Sequence, residues 1–300
     1  MTPQFPLVLN VIGGAQPIPA GAADVIATAA NLAATAGAID WLEPGKAFDI
    51  GFEGDPGALR AAVGRVDHEW PLDMNILAAA NRRKKLLVAD MDSTIISCEC
   101  IDELADMAGI KPKVAAITER AMRGEIDFPD ALRERVALLK GLPLHYLERV
   151  HAERVRLNPG ARALTATMRA HGARTLLVSG GFTFFTSRVA AAAGFEESQG
   201  NRLLDDGRAL TGLAGEPILG REAKLRALED AAARFGVQVA DALAVGDGAN
   251  DLDMIRRAGL GVAYHAKPLV AAAAGASISQ GDLQSLLYLQ GYRADEIVSP

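Results

Sequence analysis

Three short runs, residues 86–89, 175–178 and 242–245, are almost wholly apolar, stop abruptly in polar or glycine-rich turns, and are separated by long helical stretches. Continuous apolar runs of this length, without alternation, are what strands buried on both faces require, and helices between them supply the covering layers. The pattern predicts an open, doubly wound parallel α/β sheet over the larger part of the chain. In such a sheet the ligand crevice lies outside the carboxyl ends of the strands, so the three turns should converge.

Those turns carry the chemistry. The first run leads into Asp90-Met91-Asp92-Ser93-Thr94, the second into Ser179-Gly180-Gly181, and the third into Gly246-Asp247-Gly248-Ala249-Asn250-Asp251. Convergence puts Asp90, Asp92, Asp247 and Asp251 around one site. Carboxylates that close repel unless a cation sits among them, and an oxygen donor set poor in imidazole and thiolate selects Mg²⁺ over zinc. Hydroxyl, backbone N–H and ammonium groups suit a phosphate, and Ser179, the Gly180 amide and Lys224 at a helix start can supply them. Each element alone is ambiguous: an isolated Asp-x-Asp is more often a solvated turn, and Lys224 lies among Arg221 and Arg226 on what could be an exposed helix. Four such elements in this order make accident improbable.

Asp90-x-Asp92-x-Thr94, Ser179-Gly180, Lys224 and Gly246-Asp247-Gly248-x-Asn250-Asp251 resemble the four motifs of the haloacid dehalogenase superfamily of phosphohydrolases. Glu99, Ile101-Asp102-Glu103-Leu104 and the stretch from Leu132 through Arg135 to Leu139 narrow the resemblance to its phosphoserine-hydrolysing branch, which serves the last step of serine biosynthesis. The resemblance covers about residues 82–295. It implies Asp90 as nucleophile and Asp92 as general acid and base. It further implies metal contacts from the Asp90 side chain, the Asp92 carbonyl and Asp247, with Asp251 behind them and Asn250 on substrate or phosphate. Glu99 would meet the substrate ammonium and Arg135 its carboxylate, while Met122 and Phe128 would screen the site. Taken alone, Arg135, Met122 and Phe128 read as ordinary helix residues.

Residues 99–156, between the first two catalytic strands, are dense in helical patterning, with Ala105, Ala108, Val114, Ile117 and Met122 apolar among charges. That placement predicts an inserted helical cap able to close over the crevice and exclude water. Gly109 and Gly124 could serve its movement or simply end helices. Asp205-Asp206-Gly207 reads as a hairpin turn.

The chain has 300 residues, enough for two domains. Its first eighty read as a small α+β unit: a strand at 6–12, a helix at 20–34, a strand pair at 39–42 and 47–52 turning at Pro44-Gly45, a helix at 56–66, and a last strand on Leu72, Met74 and Ile76. The order βαββαβ is the ferredoxin-like one and resembles small ACT-type amino-acid-sensing domains. The expected division is 1–80 for this domain and 81–300 for the phosphatase domain. Pairing of ACT-like domains would make a homodimer, and a front domain that senses free serine is compatible with this reading. The basic run 81–85 between the two reads as a solvated linker.

A net charge of −6 argues against a nucleic-acid partner. Cys98 and Cys100 are the only cysteines, too few for a disulfide framework or a thiolate zinc site. The five histidines His68, His145, His151, His171 and His265 never fall at zinc-hydrolase spacing and read as surface or packing residues. No basic leader and no long apolar stretch is seen, so the expectation is a cytoplasmic enzyme with no membrane partner. Two rivals stay open: a related phosphohydrolase or phosphotransferase on another small phosphate ester, and a phospho-receiver signalling domain with its own acidic Mg²⁺ pocket.

Overall fold

A computed structural model describes residues 4–19, 21–64 and 70–299. Ala20, Val66 and His68, which enter the sequence reading, lie outside the described residues. The front unit runs β1 (Leu7–Gly13), α1 (Ala22–Ala33), β2 (Thr35–Glu43), β3 (Ala47–Glu53), α2 (Pro56–Val63) and β4 (Leu72–Ala78), the expected βαββαβ order. Its four strands pair antiparallel in the order β2-β3-β1-β4. Leu9, Val11, Phe48, Ile50 and Phe52 pack under Ile26 and Leu59 of the two helices.

The second unit opens with β5 (Leu86–Ala89), followed by four insert helices: α3 (Cys100–Met107), α4 (Lys111–Met122), α5 (Phe128–Ala137) and α6 (His145–Glu153). Gly109 and Gly124 follow α3 and α4 at φ of 70° and 74°, so both serve as helix ends. The chain then forms α7 (Ala161–Ala170), β6 (Arg174–Phe182), α8 (Thr183–Ala193) and β7 (Glu197–Asn201). A hairpin of β8 (Leu203–Asp205) and β9 (Leu210–Ala214) turns at Gly207, as expected. The remainder is α9 (Arg221–Phe235), β10 (Ala242–Gly246), α10 (Leu252–Arg257), β11 (Leu260–Tyr264), α11 (Pro268–Ala273), β12 (Ala276–Ile278) and α12 (Ser285–Leu289).

The six core strands are parallel in the order β12-β11-β10-β5-β6-β7, which sets β5 between β10 and β6. Period-two alternation explains why the runs are apolar throughout. Leu86, Val88, Leu176, Val178 and Ala244 pack on the α9 face, while Leu87, Ala89, Leu177 and Val245 pack on the opposite face with Leu164 and Leu286.

The basic run is a solvated linker only in part: Asn81, Arg83 and Lys85 are exposed, but Arg82 and Lys84 are not. Arg82 pairs with Asp49 of β3 and donates through Nε to the Leu289 carbonyl at 3.0 Å, and Lys84 is buried with Nζ on the Ala240 carbonyl at 2.9 Å. These partners lie 33 to 207 residues away, so no local pattern announces them. The front unit also meets the core across β4. Asn75 exchanges two hydrogen bonds with the Ser277 backbone, and Asp73 accepts from the backbone N–H groups of Ser279, Gln280 and Gly281 and from the Ser279 hydroxyl. Asp73 and Asn75 are therefore the most buried residues of β4, because they continue the core sheet's edge with side chains instead of backbone. Asp73→Ala leaves those buried donors without an acceptor, so stability is expected to fall by about 3 kcal/mol. An unchanged urea midpoint would show that the contact carries no stability.

Candidate active site

At the carboxyl end of β5 the backbone N–H of Asp90 donates to the Val245 carbonyl at 3.0 Å, tying the first turn to β10. Ser93 takes φ of 57°, a left-handed conformation uncommon outside glycine, and turns the chain so that Asp90 and Asp92 both stay buried. Lys224, four residues into α9, is 1% exposed and donates from Nζ to Asp90 Oδ1 and Asp251 Oδ1, each at 2.7 Å. Asp251 is fully committed: its other oxygen accepts from the Gly248 amide at 3.1 Å. Thr94 donates to Asp247 at 3.3 Å. Carboxylate oxygens of Asp90, Asp247 and Asp251 lie within 4.8 Å of one another.

This crowding sets the protonation states. Burial, and then the Asp251 charge, push Asp90 well above the usual carboxylate range, and Lys224 pulls it back. Burial, and then Asp251, raise Asp247 to about 6. Lys224 keeps its proton: burial opposes the ammonium most strongly, but Asp251 and Asp90 together outweigh it and raise the group above its ordinary value. Four acids against one lysine leave a surplus of negative charge, and an all-oxygen donor set of this size fits a hard divalent cation. Asp90, Asp247 and Asp251 stand close enough to share such an ion, and Asp251 is also held by Lys224 and Gly248.

Asp92 sits on the other side of the turn. Its Oδ1 accepts from the Cys100 amide at 3.0 Å and its Oδ2 from the Ser179 hydroxyl at 3.3 Å. Burial, and then the Glu99 charge, raise it to about 7. Ser179 Oγ in turn accepts from the Gly181 amide at 2.8 Å. Asn201 pins this strand end to the start of α9 by donating to the Gly180 and Leu219 carbonyls and accepting from the Leu219 amide. A Cβ on Gly246 would stand 2.4 Å from the Asp251 carboxyl carbon, so only glycine lets β10 end this close to the acid. Gly246→Ala is expected to cost about 1–3 kcal/mol through overpacking and to displace Asp251 from Lys224. A variant with full activity and an unchanged melting temperature would show that the fit is loose.

The insert helices cover this crevice. Glu99, exposed just before α3, accepts from Ser93 Oγ at 2.7 Å. Arg135 on α5 is half-buried; burial lowers it, while Asp102, Glu99 and Asp92 act against that from around the same crevice. Phe128 at the start of α5 bridges Gly180 and Gly220, whose added Cβ atoms would lie 2.9 and 3.2 Å from its ring. Asn250 stands at the rim beside Gly248. Met122 is 67% exposed at the end of α4, and like Glu99 it is an expected site residue left turned to solvent.

A profile of the haloacid dehalogenase-like hydrolases matches residues 87–256, more than half of the chain, and spans every strand end just described. The chain belongs to the haloacid dehalogenase-like hydrolase family. It is 48% identical over 210 residues to a phosphoserine phosphatase from Polaromonas sp., covering 68% of this chain and 89% of that protein. It is 43% identical over 241 residues to one from Archaeoglobus fulgidus, covering 79% and 69%. A crystal structure of a probable phosphoserine phosphatase from Vibrio cholerae, in unliganded form, superposes with a TM-score of 0.79 at 30% identity and covers 98% of this chain and 88% of that chain. Within this hydrolase family, the Thr94 bond to Asp247, the Asn201 clamp and the Cys100 amide on Asp92 are the site contacts that sequence reasoning missed. Thr94 stood in a motif and could have been found; Asn201 and the Cys100 amide carry no local signal.

Proposed function

We propose that this hydrolase cleaves O-phospho-L-serine to L-serine and phosphate through a phosphoryl group carried on Asp90, the last step of serine biosynthesis. The observation that carries the reading is an anion, Glu99, and a cation, Arg135, both within electrostatic reach of Asp92, which suits a zwitterionic head beside a phosphate. The named relatives support it. An inserted helical cap, absent from signalling receivers, argues against the receiver alternative.

Asp90 attacks phosphorus in line with the departing serine oxygen, and the Lys224 ammonium both favours the ionised form of Asp90 and faces the developing charge. The Ser179 hydroxyl and the Gly180 amide hold phosphoryl oxygens. Asp92 gives a proton to the leaving alkoxide and afterwards takes one from the attacking water. A Mg²⁺ ion, held by Asp90, Asp247 and the Asp92 carbonyl, would supply further charge neutralisation at the phosphoryl group when bound. Asp251 positions Lys224, Asn250 contacts substrate at the rim, and Phe128 and Met122 screen the closed site. For Met122, that requires the end of α4 to swing inward.

The division of labour follows the two sheets, residues 1–80 as an ACT-like domain and 81–300 as the phosphatase domain with its cap at about 99–156. The outer edge of β2 ends the front sheet and offers a surface for a homodimer. No described helix is long and apolar enough to cross a membrane. Free cysteines suit the cytoplasm.

The test is phosphate release from L-phosphoserine against phosphothreonine, sugar phosphates and nucleotides, with and without Mg²⁺. Preference for phosphoserine, dependent on Mg²⁺, is expected; a sugar phosphate as the best substrate would overturn the assignment. Glu99→Gln keeps size and removes charge. Because Glu99 is solvent-exposed before substrate arrives, its loss should shrink the preference for phosphoserine over phosphoethanol by at least about tenfold. An unchanged ratio of kcat/KM values removes Glu99 from ammonium recognition.

A further inference from the structure

Hydrolysis uses no thiol, yet both cysteines of the chain flank Glu99 at the rim of the site. Glu99 has φ of −96° and ψ of 109°, an extended residue. Its neighbours therefore project to the same side, with Cα atoms no more than about 6.6 Å apart, within the span that a disulfide bridges. The two thiols are close: the Cys100 S–H facing the Cys98 sulfur, ahead of burial, pushes the Cys100 thiol up. Their access differs. Cys98 is half-buried, with Sγ 3.9 Å from the Arg154 carbonyl, while Cys100 is 1% exposed. Cys100 also touches the machinery, since its amide donates to Asp92 at 3.0 Å.

We propose that Cys98 and Cys100 form a reversible disulfide, with a hydroperoxide as oxidant, that switches the active site off. The inference rests on the roles given above to Asp92 and Glu99. The accessible Cys98 sulfur attacks the peroxide, the O–O bond breaks, and one oxygen stays on sulfur as a sulfenic acid while the other leaves with the Cys98 proton, as water from hydrogen peroxide or as the alcohol from an organic hydroperoxide. The Cys100 sulfur then attacks Cys98, the S–S bond forms, the S–O bond breaks, and the hydroxyl departs with the Cys100 proton as water. Two electrons pass from the sulfurs to the peroxide. A dithiol reverses the reaction by exchange. The ring so closed contains Glu99. It pulls on the Cys100 amide that Asp92 accepts from and ties Glu99 to one backbone geometry, so both proton transfer and ammonium binding suffer. A disulfide spanning one intervening residue is of the strained, readily reduced kind that serves regulation.

Full-length protein treated with hydrogen peroxide, then with an alkylating agent, should lose the mass of two hydrogens and leave both cysteines unalkylated. Its kcat/KM for phosphoserine should fall at least about tenfold and return with dithiothreitol. Cys98→Ser should keep the basal activity and resist peroxide. The proposal is overturned if both thiols remain alkylatable, if the mapped disulfide leaves kcat/KM unchanged, or if Cys98→Ser is inactivated as readily and as reversibly. Disulfide mapping needs no substrate, so a failure of the phosphoserine assignment would be seen separately in the substrate panel.

Discussion

Asp90→Asn is expected to give a folded protein whose turnover of phosphoserine is at least about 10⁴-fold slower than that of the unaltered chain. The amide has almost the shape of the carboxylate but no anionic oxygen to attack phosphorus, and it is a poorer partner for a cation. Folding should survive. Asp90 Oδ1 accepts from Lys224 at 2.7 Å and from the Met91 amide at 2.8 Å, and an Asn side-chain carbonyl can accept both. Burial, and then Asp251, hold the Asp90 carboxyl well above its unfolded value, so its charge at neutral pH costs the metal-free protein stability. Removing that charge should leave the metal-free melting temperature no lower, while the gain in melting temperature on adding Mg²⁺ should shrink. The covalent step gives the sharper readout. Acid-quenched enzyme should carry phosphate on Asp90, and the variant should carry none; phosphate found on another residue would sink the assignment.

The catalytic strand ends were legible because of their environment. β5, β6 and β10 are covered on both faces, so their apolar runs are unbroken and each polar turn stands out against them. Asp90, Asp92, Ser179 and Asp247 could be placed from that contrast. Lys224 could not be separated from Arg221 and Arg226 by sequence, since all three lie on the first turns of one helix. Burial separates them: Lys224 is 1% exposed between two carboxylates, while Arg221 pairs with Asp253 at the surface.

What stayed hidden depends on partners far along the chain. Arg82 and Lys84 look like a solvated basic run because the acceptors that bury them come from β3, from the loop before β10 and from α12. Asp73 and Asn75 look like the outward residues of an edge strand, and the core backbone that they bind lies more than 200 residues away. The front unit has a core of its own, yet Ile12, Leu42 and Ala47 join the cluster of the large unit. Sequence periodicity reports that a face is buried, not which neighbour buries it.

Asp92→Asn should slow phosphoserine turnover by about 10²–10⁴-fold, and the size of the loss should depend on the leaving group. A serine alkoxide leaves poorly without a proton. Asp92 is built to carry one, since burial, and then the Glu99 charge, raise it to about 7 against its usual carboxylate value. An aryl phosphate expels a stable phenolate unaided, so the first step on that substrate should be nearly indifferent to the variant. Any remaining loss then reports the second step, in which Asp92 activates water. The two substrates should also separate with pH. The protonated form is lost as pH rises through the Asp92 value, so kcat/KM for phosphoserine should fall along that limb while kcat/KM for the aryl ester stays level. The amide should abolish the limb, because it does not titrate. Equal losses on both substrates in Asp92→Asn, with the alkaline limb intact, would move the proton-transfer role to another group. Ser179 is the neighbour to test next, since its hydroxyl donates to Asp92 Oδ2 at 3.3 Å while its oxygen accepts from Gly181.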